Sequence, residues 1–167
     1  FIQPESLIIN ASKGIENDSL STCHKIIKDS LNIPCDVTTV SGPTFAREVA
    51  AKVPSALLAA SECEDAAKKV QEIFSSRYVK VFTSNDVLGV EIGGALKNVI
   101  AIATGISDGL KLGFNTRAAL ITRGLVEITR IGTELGAKPK TFYGLSGLGD
   151  LVLTCTGDLS RNRQLGI

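Results

Sequence analysis

The sequence predicts an α/β fold in which a strand-and-helix region is followed by an all-helical region. Short apolar segments alternate with helical segments up to Thr83, which is the pattern of an α/β sheet. From Ser84 onward the segments are longer and follow a helical period. The chain has 167 residues, of which 44% are hydrophobic, enough for one large or two small globular domains. We therefore expect two units, residues 1–83 and residues 84–167.

Four short segments of the first unit are apolar or alternate in polarity and predict β-strands: Leu7–Ala11, Asp36–Val40, Ser55–Ala60 and Tyr78–Phe82. A helical stretch that ends near Ser30 separates the first two strands. The turn sequence SGPTF follows the second strand. Ser61 and Glu64 have the spacing of a capping box, which predicts that the helix ECEDAAKKVQEIFS opens at Ser61.

Two long helices are predicted in the second unit. Ser84, Asn85 and Asp86 offer an N-cap to the first helix, and the second covers Asn115–Leu135. Apolar residues recur at helical spacing in the first helix and predict a stripe that faces the core: Leu88, Ile92, Leu96 and Ile100, with Val99 and Ala103. The glycine-rich segment GLSGLGD and the apolar segment LVLTCT follow, so we expect this unit to be all-helical.

Composition and charge argue against several classes of protein. The net charge is +1 and neither half is basic, so we expect no binding to nucleic acid and no membrane insertion. The apolar run Val99–Thr104 is far shorter than the roughly 20 residues that span a bilayer. His24 is the only histidine, and the four cysteines have no paired spacing. We therefore expect no metal site, no disulfide framework and a reduced, cytoplasmic setting.

The two ends of the sequence predict an interior piece of a longer protein. The chain contains no methionine, and Phe1 opens it abruptly. The last segment, LSRNRQLGI, has the features of a helix start but reaches no C-cap. We expect such a piece to be inactive, or unable to fold autonomously, when it is isolated.

One lysine stands in the otherwise apolar segment GVEIGGALKNVIAIATG. Lys97 has Gly93, Gly94 and Ala101 at i−4, i−3 and i+4, the smallest residues available. Each interior glycine costs a helix about 1 kcal/mol relative to alanine, so two in a row indicate close approach of another helix or a ligand. Two interpretations stay open. Lys97 is either a surface lysine beside a tight helix crossing, or a partly desolvated lysine whose lowered pKa suits a general acid or base.

Two predicted strand ends carry further candidates. Lys13 follows the first strand in SKGIE, where open α/β sheets place ligand groups; a solvated loop lysine is the alternative. The segment SGPTFARE leaves the second strand through Gly42 and Pro43. There the Thr44 hydroxyl and nearby backbone amides are available to bind oxygen atoms, although an ordinary turn has the same sequence.

The C-terminal segments supply a carboxylate and a basic turn. Asp150 lies between a glycine run and an apolar helix start, where an N-cap or first-turn acid is the simplest interpretation. Ser160 is a natural N-cap, and Arg161 and Asn162 follow in the first turn, where the helix dipole disfavours a cation. A bound anion would reverse that penalty, because these groups together form a phosphate cradle. A solvated pair of arginines is the alternative.

Taken in order, six segments resemble the NAD(P)-dependent glycerol-3-phosphate dehydrogenase family of bacteria: NASKGIE, SGPTFAREVA, GVEIGGALKNVIAIATG, NTRAALITRGL, GLSGLGDLVLTCT and SRNRQLG. The resemblance implies the C-terminal part of a Rossmann-like NAD(P)-binding domain in residues 1–83 and a truncated all-helical substrate domain in residues 84–167. It implies a cytoplasmic oxidoreductase of phospholipid precursor synthesis, in the form of a homodimer. Such an enzyme reduces dihydroxyacetone phosphate to sn-glycerol 3-phosphate with NADH or NADPH.

The resemblance also implies roles for single residues. Lys97 matches the proton donor and acceptor on the substrate oxygen, and Lys13 matches a second active-site lysine. Asp150 completes the catalytic group, since an ion pair with Lys97 would orient that lysine or tune its pKa. Substrate-binding positions of the family fall on these three residues and on seven others: Gly42, Thr44, Asn98, Thr154, Ser160, Arg161 and Asn162. Cofactor-contacting positions fall on Lys13, Ala46 and Arg161.

The chain departs from the family at its ends. The GxGxxG turn of the nucleotide-binding half would precede Phe1, so we expect little of the cofactor site here. Two alternatives remain. Other β-hydroxyacid dehydrogenases, of the hydroxyisobutyrate and UDP-glucose types, also carry a lysine on a glycine-containing helix. The hydroxyisobutyrate type typically has asparagine four residues after the lysine, where this chain has Ala101, and here the asparagine is the adjacent Asn98. A non-catalytic phosphate-binding or dimerisation module is the second alternative.

Overall fold

The structure, a computed structural model, describes residues 2–167, so the expectation attached to Phe1 lies outside the described residues. Its first half contains one sheet of four strands in the order β1 (Leu7–Asn10), β2 (Asp36–Ser41), β3 (Ser55–Ala60) and β4 (Val79–Ser84). The β1–β2 and β3–β4 pairs are parallel, whereas β2 and β3 are antiparallel, so the sheet is mixed. The predicted strands and the α/β class are confirmed, with each strand end within two residues of its predicted place.

Three helices accompany this sheet: α1 (Cys23–Ser30), α2 (Ala46–Ala50) and α3 (Glu64–Phe74). The predicted capping box at the start of α3 is wrong, because the helix begins at Glu64 with Cys63 as its N-cap. The Ser61 hydroxyl instead donates to the backbone carbonyl of Val37 on β2, at 2.9 Å, and accepts from the Cys63 amide at 3.3 Å. The Ser61 hydroxyl therefore makes a tertiary hydrogen bond to β2 instead of capping α3. Helix α2, directly after the SGPTF turn, was not predicted.

The second half is all-helical, as predicted, and begins with the longest helix, α4 (Val87–Gly109). The remaining elements are α5 (Gly113–Glu134), α6 (Pro139–Phe142), a π-helical turn (Leu145–Gly149), α7 (Asp150–Thr156) and α8 (Arg161–Gly166). Of the three candidate caps for α4, Asp86 is the one used. Its carboxylate accepts from the Gly89 amide at 3.1 Å, from the Lys138 amide at 2.9 Å and from the Thr141 hydroxyl at 2.5 Å. One buried carboxylate thus joins α4 to α6.

The apolar stripe of α4 lies mainly as predicted. Ile92 belongs to the buried core of the helical half, and Leu88, Leu96 and Ile100 pack against that core. The prediction for Val99 is wrong, since 64% of its surface is exposed. Helices α5, α7 and α8 and strand β2 all pack against α4, and the exposure of Val99 shows that none of them covers its side chain.

Helix α4 is long and apolar enough, by length and composition, to cross a membrane. Its most apolar window of 18 residues has a mean hydropathy of 1.5, so the apolar segment is longer than the run Val99–Thr104 suggested. However, 56% of that window is buried inside the protein. Burial of this kind is what the central helix of a globular core shows.

Helix α8 crosses α4 in backbone contact. A Cβ atom added to Gly105 would lie 2.1 Å from the carbonyl oxygen of Arg163, and one added to Gly166 would lie 2.3 Å from that of Ile102. Only glycine permits this separation. The crossing brings the start of α8 close to the middle of α4, where Lys97 lies.

Candidate functional site

The first residue of α7, Asp150, lies between two lysines from distant parts of the chain. Asp150 is 2% exposed. Its Oδ1 accepts a hydrogen bond from Lys97 Nζ at 2.5 Å, and its Oδ2 accepts one from Lys13 Nζ at 2.5 Å. Lys97 Nζ also donates to the hydroxyl of Thr154, one turn further along α7, at 2.8 Å. Two cations therefore share one carboxylate, which leaves the group with an excess of positive charge.

The glycine pair in α4 makes room for this arrangement. A Cβ atom added to Gly94 would lie 3.4 Å from Lys13 Cδ and 3.5 Å from Ser41 Oγ, so the Lys13 side chain passes directly over the helix backbone. A Cβ atom added to Gly93 would lie 3.1 Å from the carbonyl oxygen of Ser146 in the π-helical turn. The close approach that the glycines indicated is therefore made by a lysine side chain and a turn.

Burial decides the protonation behaviour of Lys97, which is only 7% exposed. Desolvation lowers the pKa of Lys97 from 10.5 to about 8; attraction to Asp150 opposes this change and repulsion by Lys13 adds to it. The interpretation of Lys97 as a surface lysine is therefore wrong. Its ammonium group is charged at neutral pH, yet it gives up its proton far more readily than an ordinary lysine.

These groups line a cleft of about 170 Å³, which suits a molecule of a few heavy atoms. Its polar lining comes from five elements of the chain: Lys13, Thr44, Lys97, Asn98, Asp150, Thr154, Ser160, Arg161 and Asn162. Nine of the ten substrate positions therefore line the same cleft. Lys13 and Lys97 both donate to Asp150 there. The lining contains three cationic side chains, Lys13, Lys97 and Arg161, against the single carboxylate of Asp150, which favours a small anion.

Two of the candidate positions, Gly42 and Ala46, lie outside this lining. The cofactor candidate Ala46 is the first residue of α2 and is exposed to solvent. Substrate candidate Gly42 is buried at the end of β2, with a φ of +147°, and an added Cβ would lie 2.9 Å from the carbonyl oxygen of Ala56. Backbone geometry alone therefore explains why glycine occupies position 42, because a larger residue would collide with β3.

Three apolar side chains also line the cleft and were missed from the sequence: Phe45, Leu153 and Leu159. Leu153 follows Asp150 by three residues on α7, so helical spacing from Asp150 could have found it. Phe45 packs on the bare backbone of Gly157, since a Cβ added there would lie 2.6 Å from the Phe45 ring. No local pattern marks that contact, because it joins two separate loops.

The two arginines of SRNRQ have different environments. Arg161 is exposed at the cleft, whereas Arg163 is 8% exposed and faces away from it. Arg163 Nε donates to Asp108 Oδ2 at 2.8 Å, and its Nη1 donates to Asp158 Oδ1 at 2.9 Å. Asp108 also pairs with Arg117 of α5 at 2.6 Å. The interpretation of a solvated arginine pair is therefore wrong for Arg163, which fastens α8 to the end of α4.

The described residues contain no group of three or more His, Cys, Asp or Glu side chains that could hold a metal ion. A dinucleotide would find two cationic side chains here, Lys13 and Arg161, both at the cleft and both partly accessible to solvent. These residues fit contact with an anionic cofactor at the cleft mouth. The printed sequence contains no GxGxxG turn that could cradle the pyrophosphate.

Two family models match the chain, one after the other. The model described as the N-terminus of NAD-dependent glycerol-3-phosphate dehydrogenase matches residues 1–67, and the model described as its C-terminus matches residues 86–167. The chain belongs to the NAD-dependent glycerol-3-phosphate dehydrogenase family. The resemblance found in the sequence is confirmed, and so is the fold class that it implied.

Sequence and structural similarity to individual glycerol-3-phosphate dehydrogenases supports the same family assignment. The chain is 57% identical over 171 residues to the NAD(P)+ enzyme of Citrifermentans bemidjiense, and the match takes in all of this chain and 50% of that protein. A crystal structure of glycerol-3-phosphate dehydrogenase from Coxiella burnetii superposes with a TM-score of 0.94 at 45% identity, over 99% of this chain and 50% of that one. The Plasmodium falciparum enzyme gives a TM-score of 0.83 at 28% identity, over 93% and 44%. The chain spans about half the length of the curated relatives it matches.

Proposed function

We propose that the full-length protein carrying this chain interconverts dihydroxyacetone phosphate and sn-glycerol 3-phosphate with NAD(P)H, as a step toward phospholipid precursors. Its family supports the reaction class. The observation that carries the proposal is the pairing of Lys97 and Lys13 on Asp150 inside a small cationic cleft. Neither a solvated lysine nor a plain phosphate-binding module needs a buried lysine with a lowered pKa.

The proposed chemistry follows from charge. The nicotinamide, when bound, supplies the hydride that adds to the substrate ketone. Negative charge then develops on the ketone oxygen, and the ammonium groups of Lys13 and Lys97 stabilise it. Lys97 donates the proton, because its pKa of about 8 lies nearer to the working pH than that of an ordinary lysine. In the reverse direction the neutral amine of Lys97 accepts the proton from the glycerol hydroxyl.

The remaining lining residues hold the substrate. Arg161 and Asn162 supply cationic and amide donors for the phosphate, and the Ser160 hydroxyl caps α8 beside them by accepting from the Arg163 amide at 3.3 Å. Binding energy gained at the phosphate orients the ketone toward Lys97. Asn98 and Thr154 contribute hydrogen bonds near the ketone end, and Thr44 closes the side formed by the β2 loop.

The proposal also covers the domain boundary, the cofactor contacts and the oligomeric form of the protein. We place the domain boundary near Thr83, because β4 ends at Ser84, α4 begins at Val87, and the two family models meet between residues 67 and 86. The proposed contacts with the dinucleotide are Lys13 and Arg161 at the cleft and Ala46, which is exposed at the start of α2. A cytoplasmic homodimer is the proposed form; four cysteines without a disulfide suit a reduced compartment.

The test is an assay of the full-length protein with dihydroxyacetone phosphate, followed through NADH or NADPH oxidation. Lys97→Met should lower kcat by about 10²–10⁴-fold, the usual contribution of a general acid. The matched control is Lys69→Met, since Lys69 is an exposed lysine on α3. Equal losses in both variants, or turnover of hydroxyisobutyrate in preference to dihydroxyacetone phosphate, would overturn the proposal.

The phosphate contact has its own test. With NAD(P)H at saturation, Arg161→Met should raise KM for dihydroxyacetone phosphate far more than it changes kcat/KM for unphosphorylated dihydroxyacetone, because only the first substrate offers a phosphate to the guanidinium group. A similar loss with both substrates under these conditions would show that Arg161 does not act on the phosphate.

A further inference from the structure

A second buried carboxylate on α4 lies outside the cleft and has no role in the chemistry described above. Glu91 is 6% exposed. Its Oε1 accepts hydrogen bonds from Asn10 Nδ2 at 2.9 Å, from the Thr39 hydroxyl at 3.0 Å and from the His24 backbone amide at 3.0 Å. A carboxylate only accepts, so it satisfies three donors that converge from β1, β2 and α1. Glu91 therefore joins α4 to the sheet at one point.

Asn10 extends this connection to the loop that carries Lys13. Asn10 is the last residue of β1 and is 4% exposed. While its Nδ2 donates to Glu91, its Oδ1 accepts from the backbone amide of Ser12 at 2.9 Å. Both ends of the amide group are thus in use, one on α4 and one on the residue directly before Lys13. The start of the loop is held against α4 without any contact to the cleft.

The position of Lys13 is narrowly defined at its other end as well. Its stem crosses α4 at Gly94, where an added Cβ would already be 3.4 Å from Lys13 Cδ. Its Nζ reaches Asp150 Oδ2 at 2.5 Å. A shift of the loop by an ångström would either press the stem onto α4 or take the ammonium group out of hydrogen-bond range.

We propose that Glu91 and Asn10 are positioning residues for the catalytic group: through Ser12 they fix Lys13 against α4, so that Lys13 and Lys97 share Asp150. The inference rests on the proposed function. Neither residue touches the cleft, and both act through the backbone of the loop after β1. Displacement of a reacting group by about 1 Å can cost 10²-fold in rate, so we expect their loss to lower kcat by at least about tenfold.

Loss of the link from Glu91 through Asn10 to Ser12 should change the pKa of Lys97, which a purely structural role of these residues would not do. Repulsion by Lys13 lowers the pKa of Lys97, and Asp150 raises it. If Lys13 moves away, its repulsion disappears and Lys97 no longer shares Asp150, so both changes raise the pKa of Lys97. The charged or titratable groups that face Lys97 are Asp150 and Cys155 from α7, Lys13 from the loop after β1, and Arg161 from α8. Those that face Glu91 are Cys23 and His24 of α1.

The experiment compares Glu91→Gln with Asp86→Asn in the full-length protein. Asp86 is the matched control, because it is also 6% exposed, lies at the start of the same helix and accepts from three uncharged donors. In Glu91→Gln an NH2 group replaces an oxygen that faces the His24 amide, 3.2 Å from Oε2, and so displaces the side chain that holds Asn10. In Asp86→Asn an NH2 group likewise meets the Gly89 amide or the donors of Lys138 and Thr141, so both variants should lower thermal stability. Only Glu91→Gln should also lower kcat at least about tenfold and move the alkaline limb of the kcat–pH profile upward.

A second variant, Asn10→Ala, keeps the proposal falsifiable where Glu91→Gln fails to fold. It removes the link to Ser12 and leaves Thr39 and His24 on Glu91, so it should reproduce the upward shift of the alkaline limb. An unchanged limb in Asn10→Ala, or an equal shift in Asp86→Asn, would overturn the proposal.

A readout without substrate separates this inference from the proposed function. The pH dependence of Lys97 acylation by acetic anhydride, followed by mass spectrometry, reports the protonation of that amine directly. An upward shift in Glu91→Gln but not in Asp86→Asn supports the positioning role even if the wild-type protein does not reduce dihydroxyacetone phosphate. Unshifted acylation in an otherwise active enzyme would show that the proposed function holds and that the positioning role is wrong.

Discussion

Replacing Asp150 by asparagine removes the charge that lies between Lys13 and Lys97 while keeping the shape of the side chain. Because Asp150 is 2% exposed, bulk water has little access to take its place. Lys97 would then experience burial and the repulsion of Lys13 without the opposing attraction, so its pKa would fall further below the present value of about 8. The consequence for stability is limited, because Lys97 can escape the unfavourable charge by losing its proton.

The size of that limit follows from the two pKa values. An unperturbed lysine has a pKa of 10.5, and Lys97 has one of about 8, so the environment of Lys97 already costs the wild-type protein about 3 kcal/mol at neutral pH. Keeping an ordinary lysine fully neutral at neutral pH costs about 5 kcal/mol. Through Lys97, Asp150→Asn can therefore destabilise the fold by at most about 2 kcal/mol at that pH. Loss of the pair with the partly exposed Lys13 adds about 0–1 kcal/mol.

The sign of the pH dependence is also determined. The folded pKa of Lys97 lies below its unfolded value, so the unfolded state binds more protons and stability rises with pH through this range. The extra loss in Asp150→Asn is consequently larger in mild acid, about 3 kcal/mol one pH unit below neutrality, and it vanishes near pH 9. In absolute terms, the wild-type protein gains up to about 3 kcal/mol from Lys97 as the pH rises from about 8 to about 10.5.

Urea unfolding of the full-length protein at mildly acidic, neutral and alkaline pH measures these differences. Asp18→Asn serves as the control, since it makes the same chemical change at an exposed position away from Lys97. A loss of about 4 kcal/mol or more in Asp150→Asn at neutral pH, the value for a buried charge with no escape, would refute the reasoning. So would a loss that grows as the pH rises.

Three further predictions concern Lys97, Arg163 and a pair of glycines in α4. Lys97→Arg should lower kcat by about 10²–10⁴-fold, and the residual ketone reduction should lack the decrease above about pH 8 that deprotonation of Lys97 produces in the wild type. Arg163→Met should raise KM for dihydroxyacetone phosphate more than it lowers kcat, because Arg163 fastens α8, which carries the phosphate-binding residues. Gly105→Ala should destabilise the fold by about 1–3 kcal/mol, since the new Cβ would lie 2.1 Å from a backbone oxygen of α8. Gly94→Ala, with its nearest contact at 3.4 Å, should change stability by less than about 1 kcal/mol.

Steady-state kinetics over a pH series checks the first two of these predictions, and urea unfolding checks the glycine pair. A decrease in rate above about pH 8 that survives in Lys97→Arg would assign that titration to another group. A fall in kcat without a change in KM would remove Arg163 from substrate binding. Equal stability of the two alanine variants would contradict the backbone contact between α4 and α8.

Much of the fold was accessible from the sequence because it depends on short-range patterns. The four strands are marked by apolar or alternating residues, and the long helices by a stripe such as Ile92 and Leu96. Family resemblance then led to the residues of the cleft, whose motifs are contiguous. The capping box at Ser61 failed because the hydroxyl found a partner 24 residues away in sequence, on β2. The prediction that Val99 is buried was wrong because helical periodicity does not say which sides of a helix its neighbours cover.

By itself, the sequence determined the α/β class, the order of the elements and the presence of a lysine on a glycine-containing apolar helix, since each of these is written in neighbouring residues. Only the tertiary structure decided that Lys13 and Lys97 share Asp150, that Arg163 faces Asp108 rather than solvent, and that Glu91 meets Asn10 across 81 residues. Polar partners of this kind are selected by the packing of helices on the sheet. A buried charge must find a complementary group wherever the fold brings one within about 3 Å, however distant it is along the chain.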